Sequence, residues 1–211
     1  METITLDTEH MQEAVARAAD VLRSGGVVLY PTDTLYGLGA DAFSDAAVAK
    51  VYEIKKRDEG KPMHCVVADI AAAGNYAEIN ERARLLAEKF LPGALTLVLP
   101  KKPDITAGIA HNIETIGFRV PDNEFCLLLA RSFGAPYTTT SANLSSAPQG
   151  RRLHDIYAQL GANIRLIDLV IDAGELPMRL PSTVVDVSAP ETTILREGTI
   201  PAYRIREALG I

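Results

Sequence analysis

Residues 30–42 read YPTDTLYGLGADA, after the apolar run GGVVL (25–29) and before a helical pattern. Gly37, Gly39 and Ala42 spell G-x-G-x-x-A, the spacing of a dinucleotide-binding turn. Such a turn puts its first glycine directly after a strand, so that the following helix N-terminus meets the pyrophosphate. Here PTDTLY stands between the apolar run and Gly37, and the next helical pattern begins only near Asp45. No clear acidic residue ends a second strand about 20 residues further on, where a ribose partner belongs. The dehydrogenase reading fails on that placement, and no NAD binding is expected. No P-loop occurs either. The glycines are expected to form a tight turn that brings backbone close to a ligand, against the plainer reading of a surface turn.

Outward from this stretch, elements alternate without low-complexity linkers. Met11, Val15, Ala18 and Leu22 recur at helical spacing, and Gly25-Gly26 suits a helix end. Val27 to Tyr30 reads as a buried strand. Asp45 is expected to cap a helix with Ala47, Val51 and Ile54 on one face, ending in IKKRDEGK (54–61). Strands are predicted at 63–68, 95–99, 115–120, 136–143, 166–174, 182–188 and 192–198. Helices are predicted at 124–133 and 153–160, from Asn80 to Phe90, and from Tyr203 onward. The expected class is α/β, one domain over 1–211 with a mixed sheet and helices packed on it; the pattern gives no strand order.

The composition excludes some functions. The chain has 211 residues and a net charge of -6, from 21 Lys+Arg against 27 Asp+Glu. That balance disfavours bulk non-specific nucleic-acid binding but leaves room for a local basic pocket. Cys65 and Cys126 form no C-x-x-C pair and are expected as buried thiols. METITLDTEH lacks a basic and an apolar leader region, so no signal peptide is expected. No apolar run approaches the about 20 residues that span a bilayer. A cytoplasmic protein with no membrane contact is expected.

Three polar stretches are costly for a purely structural protein. Lys55, Lys56 and Arg57 close a helix, with Lys61 just after; a capped, solvated helix end is the plain alternative. Thr138 to Asn143 puts hydroxyls at a strand end, where α/β sites commonly lie; the plain alternative is a Ser/Thr turn. PSTVVDV (181–187) is followed by LREG (195–198). Arg119 sits mid-strand in TIGFRVP, a costly burial unless it binds an anion. No Ser lies in G-x-S-x-G, and His10, His64, His111 and His154 show no metal-ligand spacing. Cations and hydroxyls without a nucleophile–base pair suit catalysis by positioning and charge stabilisation, as in phosphoryl and nucleotidyl transfer.

YPTDTLYGLGADA, Lys55-x-Arg57, Ser141-x-Asn143, PSTVVDVS and LREG together resemble the YrdC-domain family of threonylcarbamoyl-AMP synthases, from about residue 8 to 205. The resemblance implies a YrdC-like twisted mixed sheet flanked by helices around a large concave, basic cavity. It implies formation of threonylcarbamoyl-AMP and pyrophosphate from L-threonine, bicarbonate or CO2, and ATP, with Mg2+ on the phosphates. Partner proteins then pass the group to the adenosine beside the anticodon of ANN-decoding tRNAs. It implies catalytic roles for Lys55, Arg57, Ser141 and Asn143. ATP contacts are implied for Arg57, Lys61, Thr115, Ser141, Asn143 and Arg196, and threonine contacts for Thr32, Arg119, Thr139 and Ser182. No metal site made of protein side chains alone is expected.

The sequence departs from the family pattern in places. Asp58 replaces a proline after K-x-R, and LREG replaces LRPG. Val66 stands where some members carry a histidine, with His64 two positions earlier. Longer members add a second domain that can cover the nucleotide; for a chain ending at Ile211, ATP is expected to be held more openly and weakly. The competing reading is a YrdC-like RNA-binding or ribosome-maturation module, with tRNA or double-stranded RNA in the same cavity and no synthase chemistry. Retention of both K-x-R and S-x-N favours the enzyme.

Overall fold

The computed structural model describes residues 1–58 and 61–211. In chain order the elements are β1 (Glu2–Thr5), α1 (Met11–Arg23), β2 (Val28–Pro31), β3 (Tyr36–Gly39), α2 (Asp45–Lys55), β4 (His64–Val66), α3 (Ile70–Ala73), α4 (Glu81–Phe90), β5 (Leu95–Pro100), β6 (Thr115–Arg119), α5 (Glu124–Phe133), β7 (Tyr137–Ser141), α6 (Leu153–Leu160), β8 (Leu169–Asp172), β9 (Thr183–Asp186), β10 (Thr193–Arg196) and α7 (Ala202–Leu209). The strands form one mixed ten-stranded sheet in the order β1-β8-β2-β3-β7-β4-β6-β5-β9-β10. Parallel pairs (β1–β8, β2–β8, β4–β6, β5–β9) are interleaved with antiparallel ones.

Helices α2, α3, α4 and α5 begin where short polar side chains satisfy a first-turn amide. Ser44, Asp69, Asn80 and Asn123 each accept a hydrogen bond from the amide three residues on, a cap worth about 1 kcal/mol. Ser44, not Asp45, caps α2; Asp45 instead accepts from the Gly108 amide at 2.6 Å. Helix α1 ends at Ser24, followed by Gly25 at φ 74°, the left-handed position glycine tolerates.

Two cores lie on opposite faces of the sheet. On one face, α2, α4, α6 and α7 bury Val51, Ile54, Leu86, Ile156 and Ile205 against Leu29, Leu38, Leu97 and Phe118. On the other, α1 and α5 bury Val15, Leu22, Phe125 and Leu129 against Val28, Tyr30, Val66, Tyr137 and Ile171. Each such aliphatic or aromatic side chain, fully buried, stabilises by about 1.5–3 kcal/mol. Cys65 and Cys126 are buried free thiols, one in each core.

One further expectation is corrected, and two elements were not expected. YGLG is not a tight turn but strand β3, paired antiparallel to β2 with Tyr30 opposite Gly37. Its glycines make room for a ring rather than for a reversal. A Cβ on Gly39 would stand 2.9 Å from Tyr30 Cε1, and one on Gly37 3.3 Å from Tyr30 Cζ. The edge strand β1 and the short α3 carry too little apolar periodicity to be read from sequence; in β1 only Ile4 is even half-buried.

Candidate active site

Helices α1 and α5 cover only part of their face of the sheet. Side chains alternate along a strand, so the strands that feed the dry core there also project into the uncovered part. In β7, Tyr137 is in the core while Thr139 and Ser141, two and four residues on, line a cleft. In β4, Val66 is in the core and His64 lines the cleft. Arg119 of β6, Thr96 of β5 and Ser182 before β9 complete the floor, Thr32 and Thr34 form one wall, and Arg57 and Arg196 reach in from the rims. The cleft holds about 660 Å³ of space, mouth included, and no carboxylate is among its described lining residues.

Seven predicted site residues therefore meet here: Thr32, Arg57, Arg119, Thr139, Ser141, Ser182 and Arg196. Lys55, Lys61, Thr115 and Asn143 are not on the lining. Thr115 lies on the cleft side of β6, four residues before Arg119 and opposite Pro100. The Lys61 carbonyl accepts from Arg57 Nε at 3.4 Å, and the Pro62 carbonyl accepts from Arg57 Nη2 at 2.8 Å. The chain around Lys61 thus orients Arg57. Asp58 is joined to its surroundings as well.

Arg119 is the central group. It is 5% exposed, and its Nη2 forms a buried ion pair with Asp33, a residue the sequence reading did not single out. Nη1 donates to Thr34 Oγ1 at 3.0 Å, and Thr34 Oγ1 lies 3.1 Å from Thr32 Oγ1. Arg119 Nε is buried without a partner among the described residues. An unsatisfied buried donor of this kind costs about 1–3 kcal/mol until something accepts from it.

On the opposite wall, Arg196 donates to the Ser182 carbonyl from Nε at 3.1 Å and Nη2 at 2.9 Å. Ser182 Oγ in turn lies 2.8 Å from Thr96 Oγ1. Burial, with the Arg119 charge, lowers the Arg196 pKa. His64 lies over Gly117, where a Cβ would stand 2.4 Å from the imidazole Cδ2. Burial first, then the charges of Arg196, Arg57 and Arg119, pull the His64 pKa down to about 4. At neutral pH it is an uncharged imidazole in a cationic cleft. Neither His64 nor Asp33 was given a role from the sequence, although Asp33 lies within the YPTDT motif and His64 stands two positions before the place where some family members carry a histidine.

Lys55 points the other way. It is 1% exposed and its Nζ donates to the Ser141 carbonyl, to the Asn143 carbonyl at 2.8 Å and to Asn143 Oδ1 at 3.2 Å. Burial, then the Arg57 charge, lowers its pKa to about 7.

The fold is matched by relatives. The family Sua5_yciO_yrdC, described as Telomere recombination, matches residues 20–198. The chain belongs to the Sua5/YrdC family. A Bacillus subtilis protein named Threonylcarbamoyl-AMP synthase is 36% identical over 198 residues, 93% of this chain and 56% of that protein. The chain thus spans little more than half the length of this Sua5/YrdC relative. The crystal structure of P. abyssi Sua5 complexed with L-threonine superposes with a TM-score of 0.88 at 32% identity, over 99% of this chain and 60% of that one. The crystal structure of E. coli YciO superposes at 0.81 with 26% identity, over 97% of each chain. The family fold implied by the sequence motifs is therefore the observed one.

Proposed function

We propose that this cleft forms threonylcarbamoyl-AMP and pyrophosphate from L-threonine, bicarbonate or CO2, and ATP, with residues 1–211 acting as one domain. One observation carries the reading. A cleft without lining acids presents three guanidinium groups, and the most buried of them keeps an unpaired donor. That is a site built for an anion, and the P. abyssi relative of the same fold is described as complexed with L-threonine.

In this reading the two walls divide the substrates. Arg119 takes the threonine carboxylate, with Thr32, Thr139 and Ser182 around the rest of the amino acid. Arg57 and Arg196 face the ATP phosphates, with Ser141 on the cleft floor between the walls; Lys61 and Thr115 serve the nucleotide from the rim. The threonine amine attacks CO2 and loses a proton, giving a carbamate. A carbamate oxygen then attacks the α-phosphorus and the bond to pyrophosphate breaks. The substrate brings its own nucleophile, so the protein needs only to orient it and to neutralise phosphate charge. Arginine suits both tasks through its planar fork of donors.

Among the described residues no group of three or more His, Cys, Asp and Glu could hold a metal ion. In this reading Mg2+ rides on the ATP phosphates and supplies charge neutralisation there. The product then passes to partner proteins that modify tRNA, in a cytoplasmic setting. The test is pyrophosphate release from ATP, leaving out threonine and bicarbonate in turn. Release that needs both is expected. Release with neither sinks the reading, and tight tRNA gel shifts without any release favour the RNA-binding module.

A further inference from the structure

The Lys55-x-Arg57 and Ser141-x-Asn143 motifs split by position. Arg57 and Ser141 line the cleft, whereas Lys55 and Asn143 lie behind it. The chain conformation between Lys55 and Arg57 explains half of the split. Lys55 is the last residue of α2, and Lys56 takes the left-handed conformation with φ 46° and ψ 46°. The chain leaves the helix axis there, so side chains two apart diverge.

We propose that Lys55 and Asn143 are not substrate ligands but a two-residue clamp that positions Ser141 and the end of β7 against the reacting groups. The inference rests on the synthase reading of the same cleft. Every described acceptor of the Lys55 ammonium belongs to the 141–143 segment, two backbone carbonyls and one side-chain oxygen. The Lys55 carbonyl grips the same loop, accepting from the Ser145 amide at 3.0 Å.

The Asn143 side chain is equally committed. Its Oδ1 accepts from Ser141 Oγ at 2.5 Å and from Lys55, and its Nδ2 donates to the Ala147 carbonyl at 2.6 Å. An amide has two N–H donors and one oxygen acceptor; here the oxygen and one N–H are taken, and the residue is 7% exposed and off the cleft lining. Ser141 Oγ is thereby fixed as a donor toward Asn143, which turns its lone pairs outward. The hydroxyl then accepts from a ligand donor, such as an N–H or O–H of the nucleotide or amino acid, and it does not donate to a phosphate. Ser141 also pairs with Gly37 of β3, so the clamp ties α2 to the floor of the cleft at one residue.

The test uses Lys55→Met, which keeps the stem and removes the ammonium, together with Asn143→Ala and the double variant. Hydrogen exchange of the 141–147 amides is followed along with steady-state kinetics. Loss of protection at 141–147 is expected in Lys55→Met. A fall in kcat of tenfold or more is expected, with the KM for ATP within twofold. The double variant should fall no further than the weaker of the two singles, because partners in one network are not additive. A raised ATP KM, or two losses that multiply, makes Lys55 a direct phosphate ligand and overturns the clamp. So does unchanged exchange at 141–147. Lost protection without threonine-dependent turnover in the wild type supports the clamp and overturns the synthase reading instead. If Lys55→Met does not fold, Lys55→Gln enters the same assays. Should that fail too, Asn143→Ala decides alone: a kcat loss at constant ATP KM supports the clamp, a raised KM overturns it.

Discussion

The two parts of one sheet face differ in what lies above them, not in their strands. Under α1 and α5, Tyr30, Val66 and Tyr137 form a dry core. Two residues along the same strands, His64 and Thr139 line the cleft, as does Thr32 just past the end of β2. Side-chain alternation delivers both sets to the same face, and the edge of the helical cover decides which becomes core and which becomes site. Arg119 stands at that edge, in register with Val66, and its partner Asp33 is buried there with it.

If that division is right, changes in the two parts should fail differently. Under the helices the effect is on stability. Tyr137 is fully buried, packs edge-on against Tyr30 with ring centroids 5.5 Å apart, and donates to the Cys126 carbonyl at 3.1 Å. Tyr137→Ala should cost about 3–5 kcal/mol of unfolding free energy, read as a lowered denaturant midpoint. A loss under 1 kcal/mol would erase the contrast. In the cleft the effect should be on rate. Arg57→Ala should add about 2–4 kcal/mol to the barrier with an unchanged melting temperature; near-wild-type turnover removes Arg57 from the phosphates.

His64 tests the boundary itself, since it belongs to the cleft but is held neutral by burial and by three arginines. Its pKa is lowered in the folded protein, so the unfolded chain binds the extra proton first. Stability is complete above the ordinary histidine value of 6.5 and falls as pH drops from there toward about 4. The loss should approach about 2–3 kcal/mol. His64→Gln should flatten the melting-temperature profile over that window, and an equally steep profile in the variant assigns the acid sensitivity elsewhere. The smallest effect is expected from Arg119→Lys, which keeps a cation beside Asp33 but loses the planar fork. The threonine KM should rise about tenfold, a 1.4 kcal/mol change, with the ATP KM little altered. The reverse pattern would exchange the two walls of the cleft.

Much of this was legible in the sequence. The spans of α4, α5 and α6 and the capping role of Asn80 follow from local pattern and spacing, and the seven cleft-lining residues from the family resemblance. What was not legible depends on distant parts of the chain. Gly37 and Gly39 look like turn residues until Tyr30 is seen across the strand pair. Asp33 gains its meaning only from Arg119, 86 positions away. Lys55 and Asn143 share motifs with cleft residues, and the motif spacing does not say which member faces inward. Only the left-handed Lys56 and the loop carbonyls decide that.

The strand order also sets a schedule for biosynthesis. The six central strands, β2-β3-β7-β4-β6-β5, lie between residues 28 and 141, while β8 and β9 add to opposite flanks of that block. β1 is made first yet pairs only with β8 in the sheet, so it waits for a strand made more than 160 residues later. A nascent chain that has emerged only to residue 180 already holds Thr32, Arg57 and Arg119 but has no Ser182 on the floor and no Arg196, and its β5 edge is open. The ribosome therefore completes the scaffold before the cleft, and until β9 is made the β5 edge presents unpaired backbone groups.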